Sequence, residues 1–97
     1  PVVDITSGVT VGFRYLQFGN NSSKTVTAEI NALENIAVNV RLDEYKGRII
    51  SSFTLAKGET AATAELSCGV VGKHAVYFEF LSESGESIAE FVRFTFD

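Results

Sequence analysis

Few side chains in this sequence can do chemistry, and their spacing favours binding over catalysis. There is one cysteine, Cys68, and one histidine, His74. A zinc site takes four such ligands, and a thiol nucleophile needs a positioned base; nothing in the sequence gives His74 that role toward Cys68. Cys68 reads as a small, half-buried side chain, and a lone cysteine cannot form an internal disulfide. His74 heads an apolar run, where packing at a sheet end and a bond to a loop carbonyl are expected. Glycoside hydrolysis needs two carboxylates about 5–9.5 Å apart across a cleft. The acidic pairs Asp43 with Glu44 and Glu83 with Glu86 stand instead in turn-like, outward positions and read as solvated surface. Ser7-Gly8, Ser84-Gly85, Gly69 and Gly72 are turn signals and form no phosphate loop. Five aromatic side chains could stack on a sugar ring: Phe13, Tyr15, Tyr45, Tyr77 and Phe91. Core positions are expected for Phe13, Tyr77 and Phe91, because rings dominate small cores, and an exposed hairpin tip is expected for Tyr45.

The chain that must position these residues has 97 of them and a net charge of −4. That length is one domain, spanning 1–97, with a modest core. The acidic balance argues against nucleic acid and anionic membranes as partners, since both call for a basic face. No run of about 18 apolar residues is present to span a bilayer, and no signal-peptide pattern stands at the start. A sequence beginning at Pro1 reads as a module cut from a longer chain.

Period-two alternation, the mark of a half-buried strand, recurs along the whole chain. The most strand-like run is Gly72 to Leu81, which puts His74, Val76, Phe78 and Phe80 on one face and Ala75, Tyr77 and Leu81 on the other. It reads as a central strand. Pro1 to Gly8 reads as an edge strand or a lead-in. In Val9 to Phe18, Val11, Phe13 and Tyr15 share a face while Leu16 and Phe18 fall on the other, which suggests a bulge or burial on both sides. Gly19 to Ser23 is a turn. Thr25 to Ala32 alternates with Val26, Ala28, Ile30 and Ala32 inward, and Ile36 to Leu42 with Ile36, Val38, Val40 and Leu42 inward. A helix over Ala28–Val40 is outweighed by β-branched content and the two clean alternations. Asp43 to Gly47 is a hairpin connection; Arg48 to Leu55 returns with Ile49, Phe53 and Leu55 on one face. Thr60 to Ser67 follows, then a loop over Cys68–Gly72. After the polar turn Ser82–Ser87, Ile88 to Phe96 closes the chain with Phe91, Phe94 and Phe96. Seven or eight short antiparallel strands with turns every 8–12 residues or so predict an all-β sandwich or barrel.

Three stretches carry a resemblance. Ile5-Thr6-Ser7-Gly8 through Val11-Gly12-Phe13-Arg14-Tyr15-Leu16-Gln17-Phe18-Gly19 resembles the opening segment of family 6 carbohydrate-binding modules. Val40-Arg41-Leu42-Asp43-Glu44-Tyr45-Lys46-Gly47-Arg48-Ile49-Ile50 resembles their Arg-Leu-Asp hairpin. Gly72-Lys73-His74-Ala75-Val76-Tyr77-Phe78-Glu79-Phe80, with Phe91-Val92-Arg93-Phe94, is similar to their Gly-x-His strand and final strand. The resemblance covers nearly the whole chain. It implies a β-sandwich of jelly-roll, galactose-binding-domain-like type. It also implies a non-catalytic module of a secreted glycoside hydrolase, extracellular or periplasmic, of the kind found C-terminal to family 43 enzymes acting on xylan or arabinan.

The partners implied are a polysaccharide or oligosaccharide and the catalytic domain of the same chain. The family's cleft uses two rings and an asparagine, at positions where this chain has Asp4, Glu59-Thr60 after Gly58, and Ile88 after Ser87. Candidate sugar contacts are therefore sought elsewhere, at Tyr15, Gln17, Tyr45 and Arg93. An accessory domain that packs on the catalytic domain without binding sugar is the alternative. No cofactor is expected. Asp97 matches a C-terminal calcium ligand of the family, but calcium takes six to eight oxygens.

Overall fold

A computed structural model describes residues 3–19, 22–83 and 86–97, the side chains of Arg14 and Tyr15 excepted. The turn residues Asn20-Asn21 and Ser84-Gly85 expected from the sequence lie outside that set. The described residues form eight strands: β1 (Val3–Thr6), β2 (Thr10–Gln17), β3 (Ser23–Ala32), β4 (Ile36–Leu42), β5 (Arg48–Leu55), β6 (Ala61–Val70), β7 (Lys73–Leu81) and β8 (Ser87–Phe96). They build two four-stranded sheets, ordered β1-β8-β3-β6 and β2-β7-β4-β5. All pairings are antiparallel. This is the all-β jelly-roll sandwich that the alternating sequence and the resemblance imply.

Each sheet turns its apolar face inward. Val26, Ala28, Ile30 and Ala32 of β3 and Ile36, Val38, Val40 and Leu42 of β4 are all buried, as strict alternation requires. β7 is central, flanked by β2 and β4, with Val76, Phe78 and Phe80 at zero exposure. Between the sheets lies an aromatic cluster. Phe78 sits 5.9 Å from Phe13, 5.0 Å from Phe91 and 5.0 Å from Phe94, centroid to centroid. These tilted and edge-on contacts are the geometry rings prefer.

Register shifts set the inward faces at three places, the first of them the bulge that the sequence suggests in β2. In β2 the register with β7 shifts between Phe13 and Leu16. Leu16 and Phe18 consequently return to the core side beside Val11 and Phe13 instead of facing away from them. In β5 the register against β4 shifts between Val40 and Arg41, and Ile50 is the extra residue. Ile50 therefore takes the core position, and Ile49 is 41% exposed. The expected loop over Cys68–Gly72 is strand as far as Val70, which pairs with Ser23 across a further shift. The jelly-roll topology brings four connections to one end and three to the other. Ser7, Leu33–Asn35, Lys57–Glu59 and Ser82 are joined by hydrogen bonds at one end. Phe18–Gly19, Asp43, Val71–Gly72 and His74 are joined at the other.

Candidate ligand-binding face

The outward face of the β2-β7-β4-β5 sheet holds the most organised polar chemistry. Register dictates its layout, since every second residue of each strand points out. One row runs Thr10, Glu79, Asn39, Ser52; the next begins Gly12, Tyr77, Arg41; on the other side lie Leu81, Ala37 and Thr54. The Ser52 hydroxyl donates to Asn39 Oδ1 at 2.8 Å, and Asn39 Nδ2 donates to Glu79 Oε1 at 3.1 Å. Arg41 Nη2 donates to that same Oε1 at 3.1 Å, and Nη1 to the Gly47 carbonyl at 2.7 Å. Arg41 Nε is buried without a partner among the described residues.

The side chains of Arg41 and Glu79 are only 18% and 15% exposed, so their partners are fixed rather than fluctuating. The Asn39 hydrogen bond holds the Glu79 carboxyl below its ordinary range. Burial opposes this, and Arg41, by hydrogen bond and by charge, adds to it. Glu79 is thus an acceptor at neutral pH. Tyr77 lies on this face and not in the core, contrary to expectation. Its ring occupies the space beside Gly12, where an added Cβ would sit 2.7 Å from Tyr77 Cε1.

At the loop end this face opens into a depression of about 770 Å³. Glu34, Asn35, Thr54, Ser82 and Glu83 supply its polar lining, and Ile36, Ala37, Leu55, Ala56 and Leu81 its apolar lining. Ala37, Thr54 and Leu81 form the row next to Asn39, Ser52 and Glu79, so depression and polar row are continuous.

The residues expected from sequence are spread over the molecule. Gln17 ends β2 and accepts the Gly19 N–H on its own Oε1 at 3.1 Å. Tyr45, 54% exposed, sits at the tip of the β4–β5 hairpin at the same end, with Lys46 Nζ 5.3 Å from its ring centroid. Arg93 is on the other sheet, paired with Glu29 at 2.8 Å, which raises its already high pKa. The side chain of Tyr15 lies outside the described residues. Asp4, Glu59 and Ile88 stand where the resemblance would place a cleft: Asp4 is exposed on β1, Glu59 accepts the Ala56 N–H at 2.5 Å, and Ile88 is fully buried. His74 matches expectation, with Nε2 2.9 Å from the Val71 carbonyl and Nδ1 2.8 Å from Asp43. No group of three or more potential metal ligands occurs among the described residues.

Sequence reading missed Asn39, Arg41, Ser52 and Glu79. The alternation of Ile36–Leu42 already turns Ala37, Asn39 and Arg41 outward; pairing β4 with β7 is what places them beside Glu79.

No family model and no curated protein matches the chain. Solved structures do. A family 43 arabinoxylan arabinofuranohydrolase from Bacillus subtilis, solved with cellotetraose, matches with a TM-score of 0.84 at 19% identity over 96% of this chain. The match spans 20% of that enzyme, so this chain covers about a fifth of its length. A family 6 carbohydrate-binding module from Clostridium cellulolyticum, solved with xylose, matches at 0.78 and 24% identity over 96% of this chain and 74% of that one. A module from Clostridium stercorarium, solved with cellobiose, gives 0.78 and 17% over 98% and 72%. The fold of this chain is that of the family 6 carbohydrate-binding modules.

Proposed function

We propose that the chain is a non-catalytic carbohydrate-binding module that receives a polysaccharide chain along the outward face of the β2-β7-β4-β5 sheet. The observation that carries this is the fixed row Ser52–Asn39–Glu79–Arg41, which is continuous with an open depression. Sugar recognition needs a few well-placed amide, carboxylate and guanidinium groups beside apolar surface. The row supplies the first, and Leu81, Ala37 and the Tyr77 ring supply the second. The free valences of Asn39 and Glu79 would accept and donate to hydroxyls that exchange their water for protein, a trade of modest net gain per bond. Binding in the micromolar to millimolar range, about −8 to −4 kcal/mol, is expected.

The fold it shares with modules solved in complex with xylose and cellobiose supports this reading. The likeness to a fifth of an arabinofuranohydrolase suggests a secreted xylan- or arabinan-degrading glycoside hydrolase as parent. The catalytic domain of that parent would then be a second partner. Gln17 and Tyr45, at the opposite end, form a second set of candidate contacts.

The experiment is titration calorimetry with xylo-, arabino- and gluco-oligosaccharides on the protein and on Asn39→Ala and Tyr77→Ala. Binding weakened about tenfold by Asn39→Ala, the cost of one hydrogen bond to a charged network, supports the sheet face. Binding lost only in Tyr45→Ala or Gln17→Ala would move the site to the hairpin end. A second reading, an accessory domain that packs on the catalytic domain, is favoured by Asp4, Glu59 and Ile88, which put no ring at the loop end. Absence of heat and of competition with every glycan would leave that reading in front.

A further inference from the structure

We propose that the contact through which His74 joins two turns is a proton-dependent latch, which closes fully only when the His74–Asp43 pair holds one proton more than a neutral imidazole beside an ionised carboxylate. The geometry at the ring carries this. Nε2 lies 2.9 Å from the Val71 carbonyl oxygen, and Nδ1 lies 2.8 Å from Asp43 Oδ1. A carbonyl oxygen only accepts, so Nε2 must carry a hydrogen to bond it. A neutral ring then has none left for Nδ1, and an ionised carboxylate has none to give. Two lone pairs would face each other across 2.8 Å. Both contacts become hydrogen bonds when a further proton stands between Nδ1 and Oδ1, on whichever of the two atoms. Without it the ring keeps one contact and gives up the other. Both groups reach solvent, so bulk pH sets the proton.

The latch holds a turn that other parts of the molecule use. Asp43 opens the β4–β5 hairpin, which carries the exposed Tyr45. The same hairpin supplies the Gly47 carbonyl that accepts from Arg41 Nη1 at 2.7 Å, and Arg41 in turn donates to Glu79. Val71, on the other side of the ring, belongs to the β6–β7 turn. That turn is itself tied to the end of β2, by Phe18 N–H to the Gly72 carbonyl and Gly72 N–H to the Gly19 carbonyl. From β2, Leu16 pairs with His74 across the ladder and the Phe18 ring stands edge-on at 6.2 Å; neither titrates. Asp43 is the titratable group that the imidazole meets at hydrogen-bond distance. The other charged side chains on the surrounding elements are Glu44 and Lys46 on the hairpin, Arg48 at the start of β5 and Lys73 on β7. Arg48 donates to Cys68 Sγ at 3.3 Å, and alternation turns Lys73 to the face of β7 opposite His74. The side chain of Arg14, on β2, is outside the described set.

The test is amide exchange measured by nuclear magnetic resonance from about pH 5 to about pH 8, the range in which histidine ordinarily titrates. Exchange of the Glu44 and Gly47 amides, each divided by its intrinsic rate at that pH, should be about twofold slower at the acid end than at the basic end, since one contact of a partly exposed pair is at stake. The Gly58 amide, bonded to the Ala32 carbonyl at the opposite end of the sandwich, should show no such change. Asp43→Asn separates the proton count from simple packing. Asparagine tolerates the left-handed backbone, and its Nδ2 can donate to the bare Nδ1 of a neutral ring. The hairpin of that variant should therefore be equally protected across the whole range. His74→Gln, which does not titrate, should also give a flat profile. Wild-type protection that does not change with pH overturns the proposal. So does an acid-strengthened hairpin that persists in Asp43→Asn or in His74→Gln, because the proton would then sit elsewhere. A change of equal size at Gly58 overturns it too, because the whole fold and not the latch would be responding.

Discussion

Arg41 and Glu79 meet diagonally across β4 and β7, with Nη2 3.1 Å from Oε1, and Asn39 Nδ2 reaches the same oxygen at 3.1 Å. A single carboxylate oxygen thus fixes two outward side chains of the neighbouring strand. Arg41 is held further by the Gly47 carbonyl at the hairpin. The network joins the face proposed to bind glycan to the β4–β5 turn, so a change at its centre should be felt in both stability and binding.

Glu79→Gln keeps the shape of the side chain and removes its charge. It leaves the half-buried Arg41 with an amide for a partner, and a loss of about 1–2 kcal/mol in unfolding free energy is expected. The loss should depend on pH. The folded-state carboxyl is held below its ordinary value, first by Asn39 and then by Arg41 against the opposing effect of burial. The stability it contributes is therefore present above the unfolded-state value and disappears as pH falls through the folded-state value. Urea denaturation of wild type and variant should show a gap at neutral pH that closes in acid. A gap of constant size down to the acid limit would show that the charge contributes nothing.

Phe78 is fully buried and in ring contact with Phe13, Phe91 and Phe94. Phe78→Ala should cost about 3–5 kcal/mol, because a cavity opens between two sheets that cannot collapse freely. Phe78→Asp should not fold, since a carboxylate there has no partner. A soluble Phe78→Asp with a cooperative melt would contradict the central place of β7.

Two glycines separate a movable obstacle from an immovable one. A Cβ on Gly12 would meet the Tyr77 ring at 2.7 and 2.8 Å, and a ring can swing. A Cβ on Gly47 would meet the Leu42 carbonyl oxygen at 2.5 Å and the Glu44 carbonyl oxygen at 2.9 Å, which are backbone atoms of the same hairpin. Gly47→Ala should cost about 1–3 kcal/mol, as overpacking does, whereas Gly12→Ala should cost less and act on binding by displacing Tyr77. Thermal melts and glycan titrations on both variants check this; a Gly12→Ala protein that melts lower than Gly47→Ala would reverse the assignment.

Much of this architecture is legible in the sequence because alternation alone assigns an inward face. β3 and β4, with no bulge inside their alternating runs, have the inward residues that period two dictates. Reading fails where a bulge adds one residue, since a slip of one flips every later side chain. That is why strict alternation gives Ile49 the place that Ile50 holds; in β2 the switch of apolar face at Tyr15-Leu16 already marks the bulge that returns Leu16 and Phe18 to the core side. Tyr77 illustrates a different limit: alternation puts it opposite Val76 and Phe78, but a ring in a central strand suggests a covered face, whereas this face is open and Gly12 on the neighbouring strand leaves room there for the ring. The polar row was invisible for a related reason. Asn39 and Ser52 face each other across one hairpin only in a register that a bulge sets, and Glu79 comes from a strand 40 residues away that only the pairing order places beside them.

The last expectation concerns the hairpin that carries Tyr45. Asp43 has a left-handed backbone, with φ of 69°, a conformation that asparagine, aspartate and glycine tolerate best. Its carboxylate lies 2.8 Å from His74 Nδ1, while Nε2 of the same ring lies 2.9 Å from the Val71 carbonyl. One imidazole therefore ties the β4–β5 turn to the β6–β7 turn. Both groups are partly exposed, 29% for His74 and 54% for Asp43, so the tie contributes only about 0.2–1 kcal/mol to global stability. Its effect should instead be local. In His74→Ala the amides of 43–47 should exchange with solvent about threefold faster, the counterpart of that energy at a site that opens without global unfolding, while the melting temperature moves by a few degrees at most. Asp43→Asn, which keeps the backbone preference and an acceptor oxygen, should show a smaller increase than Asp43→Ala, which keeps neither. Equal exchange in His74→Ala and wild type would mean that the turn is held by its own backbone bonds, Glu44 N–H to Leu42 and Gly47 N–H to Glu44, and that the histidine only fills space at the sheet end.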